Sequence, residues 1–213
     1  MNHAIARISY FAAVLWTLTG CSQGPAAIDV PAYDPDASAT KALELYDVDK
    51  DGFVAGEELQ GAPSLRAAIK NIDRNGDGKV DAEEIAERIR TWQKMHIGYM
   101  NFQCAATLDG TPLAGARITF DPEEFMLGAI QSASAELAAT GMGMPKIPKE
   151  KRPTPDTPPG VQAGLYKVCV SRIVAGKETI PARYNAATTL GQEVSKDDPA
   201  ISGHMVTFKL KSK

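Results

Sequence analysis

Apolar positions change their rhythm three times along the chain. From Ile8 to Leu18 they form an almost unbroken run behind a single cation, Arg7. Such a run is too short to span a bilayer and fits the apolar core of an export signal. The stretch from Ser22 to Ser38 has no period and is rich in Pro, Ala and Asp, which predicts a tether. From about Ala39 to Ile97 the spacing is helical. "ATKALELY" offers Ala42, Leu43, Leu45 and Tyr46 to a core, and "SLRAAIKNI" opens at Ser64, a candidate N-cap after Pro63. In "AEEIAERIRTWQKM", Ile85, Ile89 and Trp92 fall on one face. From Tyr99 onward the apolar runs shorten to "NFQCAATL", "ARITF", "GLYKVCVSRI" and "HMVTFKL", punctuated by Gly, Pro and Asp. That rhythm predicts a β-sandwich or small barrel. The expected fold class is α+β in two domains. An all-α part over residues 39–97 precedes an all-β part over 98–213, after a signal at 1–20 and a tether at 21–38.

The 213 residues and a net charge of −3 allow that division, and 44% apolar content supports a buried core. The helical part carries 12 acidic and 9 basic side chains, the β part 11 and 13. The charge is too mild and too dispersed for nucleic acid.

Acidic residues concentrate in two stretches with one template, "DVDKDGFVAGEE" (Asp47–Glu58) and "DRNGDGKVDAEE" (Asp73–Glu84). Calcium requires six to eight hard oxygens, and this spacing supplies them. Side chains at positions 1, 3 and 5 are Asp47, Asp49 and Asp51, then Asp73, Asn75 and Asp77. Position 6 must bend sharply and is Gly52 or Gly78. Position 7 donates a backbone carbonyl, from Phe53 or Lys79. Position 9 is Ala55 in one loop and Asp81 in the other. Position 12, Glu58 or Glu84, can bind through both oxygens. Val54 and Val80, at position 8, can pair between loops in a short strand. Both stretches resemble the EF-hand loop, and the tandem match implies two Ca2+ sites.

The loops start 26 residues apart, and Gly61 and Pro63 cut the first exiting helix short. A calcium sensor needs spare apolar surface, often Met-rich, to expose on binding. Met95 is the only Met in the helical part. The pattern therefore favours calcium as a structural brace. The alternative is a calcium-responsive regulator of an envelope partner.

Two further resemblances extend the picture. "LTGC" (Leu18–Cys21) resembles the lipobox of bacterial lipoproteins, which implies cleavage before Cys21, its acylation, and a membrane anchor without a membrane helix. Ser22 after the Cys favours the outer membrane by the same resemblance. "DGTPLAGARITF", "PPGVQAGLYKVCV" and "IPARY" are similar to phrases of carboxypeptidase regulatory-like domains, which implies a transthyretin-like sandwich for most of Tyr99–Lys213. The Pro-rich connection at 141–162, with the basic "KEKR" (Lys149–Arg152), departs from that family.

Cys104 and Cys169 could pair in an oxidising envelope or stand as two thiols. Alternation groups Cys104 with Phe102 and Ala106, but Cys169 with Lys167 and Ser171. No catalytic motif stands out. Beyond the signal there is no G-x-S-x-G elbow and no H-E-x-x-H motif, and His96 and His204 are the only His. The expectation is a non-catalytic, exported and lipid-anchored binding or structural protein, contacting an envelope protein or glycan. A hydrolytic or accessory enzyme domain is the less favoured reading.

Overall fold

The computed structural model describes residues 30–213 apart from 153, 155, 156 and 158. The signal segment, Cys21 and the tether as far as residue 29 lie outside the described residues.

Asp34 and Pro35 start the first helix earlier than the tether reading allowed. Helix α1 is Pro35–Tyr46; the Asp34 carboxylate accepts the Ala37 N–H at 3.1 Å, and Pro occupies the first turn. Both residues are favoured there, because Asp satisfies a free N–H and Pro has none to lose. Just before it, Tyr33 is buried, its ring 6.0 Å from that of Trp92. Its hydroxyl donates to the Ala163 carbonyl at 2.7 Å. The segment predicted as tether up to residue 38 is thus packed structure from Tyr33 onward.

The helical half continues with β1 (Phe53–Val54), α2 (Gly56–Gly61), α3 (Pro63–Ile72), β2 (Val80–Asp81) and α4 (Ala82–Met95). Strands β1 and β2 pair antiparallel, Phe53 with Asp81 and Val54 with Val80, as the position-8 valines predicted. Ser64 is not the cap of α3. Ala62 takes that position, Pro63 begins the helix, and the buried Ser64 hydroxyl has no partner among the described residues. Ile85, Ile89 and Trp92 are all buried, on the face their spacing predicted.

The β half contains β3 (Gln103–Leu108), β4 (Thr111–Pro112), β5 (Arg117–Pro122), β6 (Ala133–Glu136), β7 (Met142–Gly143) and β8 (Gly164–Ser171). It ends with β9 (Ile173–Val174), β10 (Lys177–Glu178), β11 (Leu190–Val194), the short helix α5 (Pro199–Ser202) and β12 (Met205–Leu210). One sheet runs β11-β8-β5-β6; the other runs β12-β3-β4, with β7 also paired to β3. Strand β12 lies parallel to β3, whereas the other ladders are antiparallel. Alternation sends Phe120 of the first sheet against Phe102 and Phe208, which lie at or in the second, with ring centroids 5.7 and 6.2 Å apart.

Cys104 and Cys169 form no disulfide. Cys104 points into the core from β3, while Cys169 sits half-buried on the outward face of β8 with Lys167 and Ser171. Alternation places the two thiols on different sheets with opposed directions, which a disulfide cannot bridge. The Pro-rich connection is anchored at several points. β7 pairs with β3, Lys146 bridges Ser134, and Val161 bridges Met100. Ile147 within it is buried. In its basic stretch, Arg152 donates from Nε to the Ile147 carbonyl at 3.0 Å.

The two halves share a continuous apolar core. Helix α3 lies against the edge strand β11, α4 reaches that strand through the side chains of Arg88 and Trp92, and α1 lies against the turn after β5. That packing covers one edge of the first sheet, where unpaired backbone would otherwise invite another strand.

Candidate metal centre

The two acidic loops share a common set of internal hydrogen bonds. The first aspartate accepts the N–H of the position-6 glycine, at 3.0 Å for Asp47 and Gly52 and 2.9 Å for Asp73 and Gly78. Position 3 accepts the N–H of position 5, at 3.1 Å for Asp49 and Asp51 and 2.8 Å for Asn75 and Asp77. Position 5 accepts the N–H of position 7, Phe53 or Lys79, at 2.9 Å in each loop. The closing glutamate accepts the N–H of position 2 through one oxygen, at 2.7 Å for Glu58 and 3.0 Å for Glu84. Its other oxygen accepts the N–H of position 9, at 3.1 Å from Ala55 and 3.2 Å from Asp81. Gly52 and Gly78 have φ of +90° and +79°, in the region where a Cβ is strained. The conformation thus follows from residue type: short carboxylates bond the backbone two to five residues on, and glycine allows the bend.

Each glutamate also begins a helix. Glu84 and Asp81 form a reciprocal capping box at α4, with the Glu84 N–H donating to Asp81 at 2.8 Å. Ala55 has no side chain to do this at α2, so Glu58 alone reaches back. Donation by the N–H groups of Ala55, Val48 and Asp49 holds the Glu58 carboxyl below its usual range. Across the short β1–β2 ladder, the Lys79 ammonium lies 4.8 Å from the centre of the Phe53 ring. That contact joins the two position-7 residues.

The donor set fits a hard divalent cation. Oxygens of Asp47, Asp49 and Glu58 all lie within 4.8 Å of one another, the span expected of ligands around one ion. Asp47 Oδ1 is buried with no hydrogen-bond partner, although its sister oxygen is satisfied. A buried carboxylate oxygen left without a donor is costly, and a cation removes that cost. Asp51, the Phe53 carbonyl and, in the second loop, Asp73, Asn75, Asp77, the Lys79 carbonyl and Glu84 occupy the matching positions.

A second polar cluster lies where the halves meet, and the chain pattern did not reveal it. Arg88, one turn beyond Glu84 on α4, donates from Nε to Glu193 of β11 at 2.5 Å. Its two terminal nitrogens grip Asp197 at 2.8 and 2.7 Å. Glu193 is buried and also accepts from Trp92 Nε1 at 3.0 Å and Asn71 Nδ2 at 2.7 Å. Burial pushes its carboxyl upward, against the opposing pull of Arg88, Asn71 and Trp92. Bonding to Arg88 and Ser195 draws Asp197 the other way, below the usual range. At the first loop, Tyr46 directly precedes Asp47 and donates to Glu123 at 2.7 Å. Lys167 Nζ stands 3.3 Å from the same buried carboxylate. Trp92 was legible as a core residue; its N–H acceptor, more than a hundred positions away in sequence, was not.

Comparison with known proteins agrees with this geometry. A family profile described as "EF hand" matches residues 65–87, which include most of α3, the second loop and the start of α4. The chain is 31% identical over 121 residues to the probable calcium-binding protein CML17 of Oryza sativa subsp. japonica, covering 52% of this chain and 74% of that protein. It is 41% identical over 56 residues to the probable calcium-binding protein CML32 of the same plant, covering 21% of this chain and 29% of that protein. These relatives are named for calcium binding, and the present chain is a calcium-binding protein. The first loop lies outside the matched profile but shares with the second the five kinds of hydrogen bond given above. The chain belongs to the EF-hand calcium-binding proteins.

Proposed function

We propose that two calcium ions, one per loop, brace the helical half of an exported, lipid-anchored binding protein against its β half. One observation carries this reading. Helix α4 starts beside a metal ligand, Glu84, and one and two turns later presents Arg88 and Trp92 to the buried Glu193 of β11. Residues four apart lie on one helical face, so fixing Glu84 fixes the orientation of the pair that holds the sheet. The first loop acts likewise through Tyr46, which reaches Glu123 at the end of β5. Without metal, four carboxylates crowd each loop and repel, so the apo form is looser.

The β half is proposed to be a transthyretin-like module of the carboxypeptidase regulatory-like kind, which contacts an envelope protein or glycan. Support comes from the sequence phrases and from the two facing sheets. Cys21 is proposed to carry the lipid that anchors the chain, with the outer membrane favoured. Labelling with a radioactive fatty acid tests this; a Cys21→Ser chain that still takes up label would overturn it.

The brace is tested by calorimetric titration of calcium into the residue 22–213 ectodomain, followed by amide exchange in calcium and in chelator. Expected are two equivalents of binding and slower exchange in α4 and β11. Absence of heat and of metal uptake would overturn the reading. Binding accompanied by increased exposure of apolar surface would favour the calcium-responsive regulator.

A further inference from the structure

We propose that the outward face of the β12-β3-β7 sheet holds a site for one soft monovalent metal ion, Cu(I), formed by Met144, Met205 and His204. The site is independent of the calcium loops. Its carrier is the register of three strands. In the parallel ladder Met205 stands opposite Gln103. In the antiparallel ladder Gly143 stands opposite Cys104, so Met144, the next residue, comes level with Gln103 on its other side. Residues level across a sheet share a face, and Gln103 is exposed while Cys104 is buried. Met144 and Met205 therefore flank one exposed position on the solvent side. With strands spaced about 4.8 Å apart, their Cα atoms lie roughly 10 Å from each other. Their unbranched side chains can lean together across Gln103.

His204 completes the set. It precedes Met205, is exposed, and has φ of +58°, a left-handed conformation at the turn after α5. Its Nδ1 lies 3.3 Å from the Asn101 carbonyl oxygen. A carbonyl can only accept, so Nδ1 carries the proton and Nε2 keeps its lone pair. That is the arrangement by which a second contact prepares an imidazole to bind metal. Met144, His204, Met205 and Gln103 line a common open cleft of about 470 Å³. Met144 is 57% exposed, although a large apolar side chain gains nothing by facing water. Two thioethers and one imidazole are soft and borderline donors, the combination that favours Cu(I) and disfavours calcium, which needs oxygen.

The test is anaerobic titration of the calcium-saturated ectodomain with Cu(I), in competition with a coloured Cu(I) chelator. The protein carries Cys169→Ser, which removes the half-exposed thiol as a rival ligand. One bound equivalent is expected, and Met144→Leu and Met205→Leu should each weaken binding by about tenfold or more. His204→Asn, which tolerates the left-handed backbone, should do the same. Leucine at two solvent-facing positions leaves the core untouched, and circular dichroism checks that each variant is folded. A parent that binds no Cu(I), or folded variants that bind it within about twofold of the parent, would overturn the proposal.

Discussion

A Cβ placed on Gly191 would collide with the carbonyl group of Pro63 and the backbone nitrogen of Ser64. Strand β11 and the first turn of α3 therefore meet backbone to backbone. Neither obstructing atom can swing away, as the end of a flexible side chain could. Gly191→Ala should separate the two elements and destabilise the fold by about 1–3 kcal/mol or more. Thermal unfolding of the variant measures this, and an unchanged midpoint would mean that the halves are not seated this closely.

Arg88 is the hinge of a second prediction. Removing it leaves Glu193 buried with its charge uncompensated, a loss of about 3–5 kcal/mol. Arg88→Leu should be strongly destabilised, and Arg88→Leu with Glu193→Leu should recover much of the loss, because both desolvated charges are then gone. Urea unfolding of the two single variants and the double variant gives the coupling.

Tyr46 and Glu123 provide a third. Glu123 is buried, its Oε1 has no partner among the described residues, and its Oε2 accepts the Tyr46 hydroxyl. Tyr46→Phe removes that donor and should cost about 1–3 kcal/mol. Since Tyr46 adjoins Asp47, calcium affinity at the first loop should fall too. Titration calorimetry reads this, and the second loop serves as the internal control.

Acid should loosen the β9–β10 hairpin. Burial opposes ionisation of Glu178, but the Ser171 hydroxyl and the N–H groups of Arg172, Ile180 and Thr179 hold its carboxyl down to about 2. A depressed carboxyl stabilises the folded state fully above its unfolded value, about 4.3, and that contribution disappears as pH falls toward the folded value. Hairpin amides should therefore exchange faster between about pH 4 and 2, relative to the rest of the sheet. Glu178→Gln should exchange fast already at neutral pH and lose that dependence.

Local chemistry was legible where each residue's role depends on neighbours a few positions away. The calcium loops are of this kind: carboxylate spacing and two glycines define the bends, and the folded loops follow them residue by residue. The helical face of Ile85, Ile89 and Trp92 and the opposed directions of Cys104 and Cys169 follow from period alone. The start of α1 was also written locally, in Asp34 and Pro35, but proline- and alanine-rich composition obscured it. What the chain pattern could not disclose is which distant groups meet. Arg88 looks like an ordinary helix-surface cation, and Glu193 like a polar position on an edge strand. Only the docking of α4 on β11 removes both from water, and desolvation turns an unremarkable pair of charges into the joint between the halves. Gly191 likewise carries no turn signal; its necessity arises from a helix that arrives from more than a hundred residues away. Periodicity reports what each segment must bury, and tertiary structure alone decides against what.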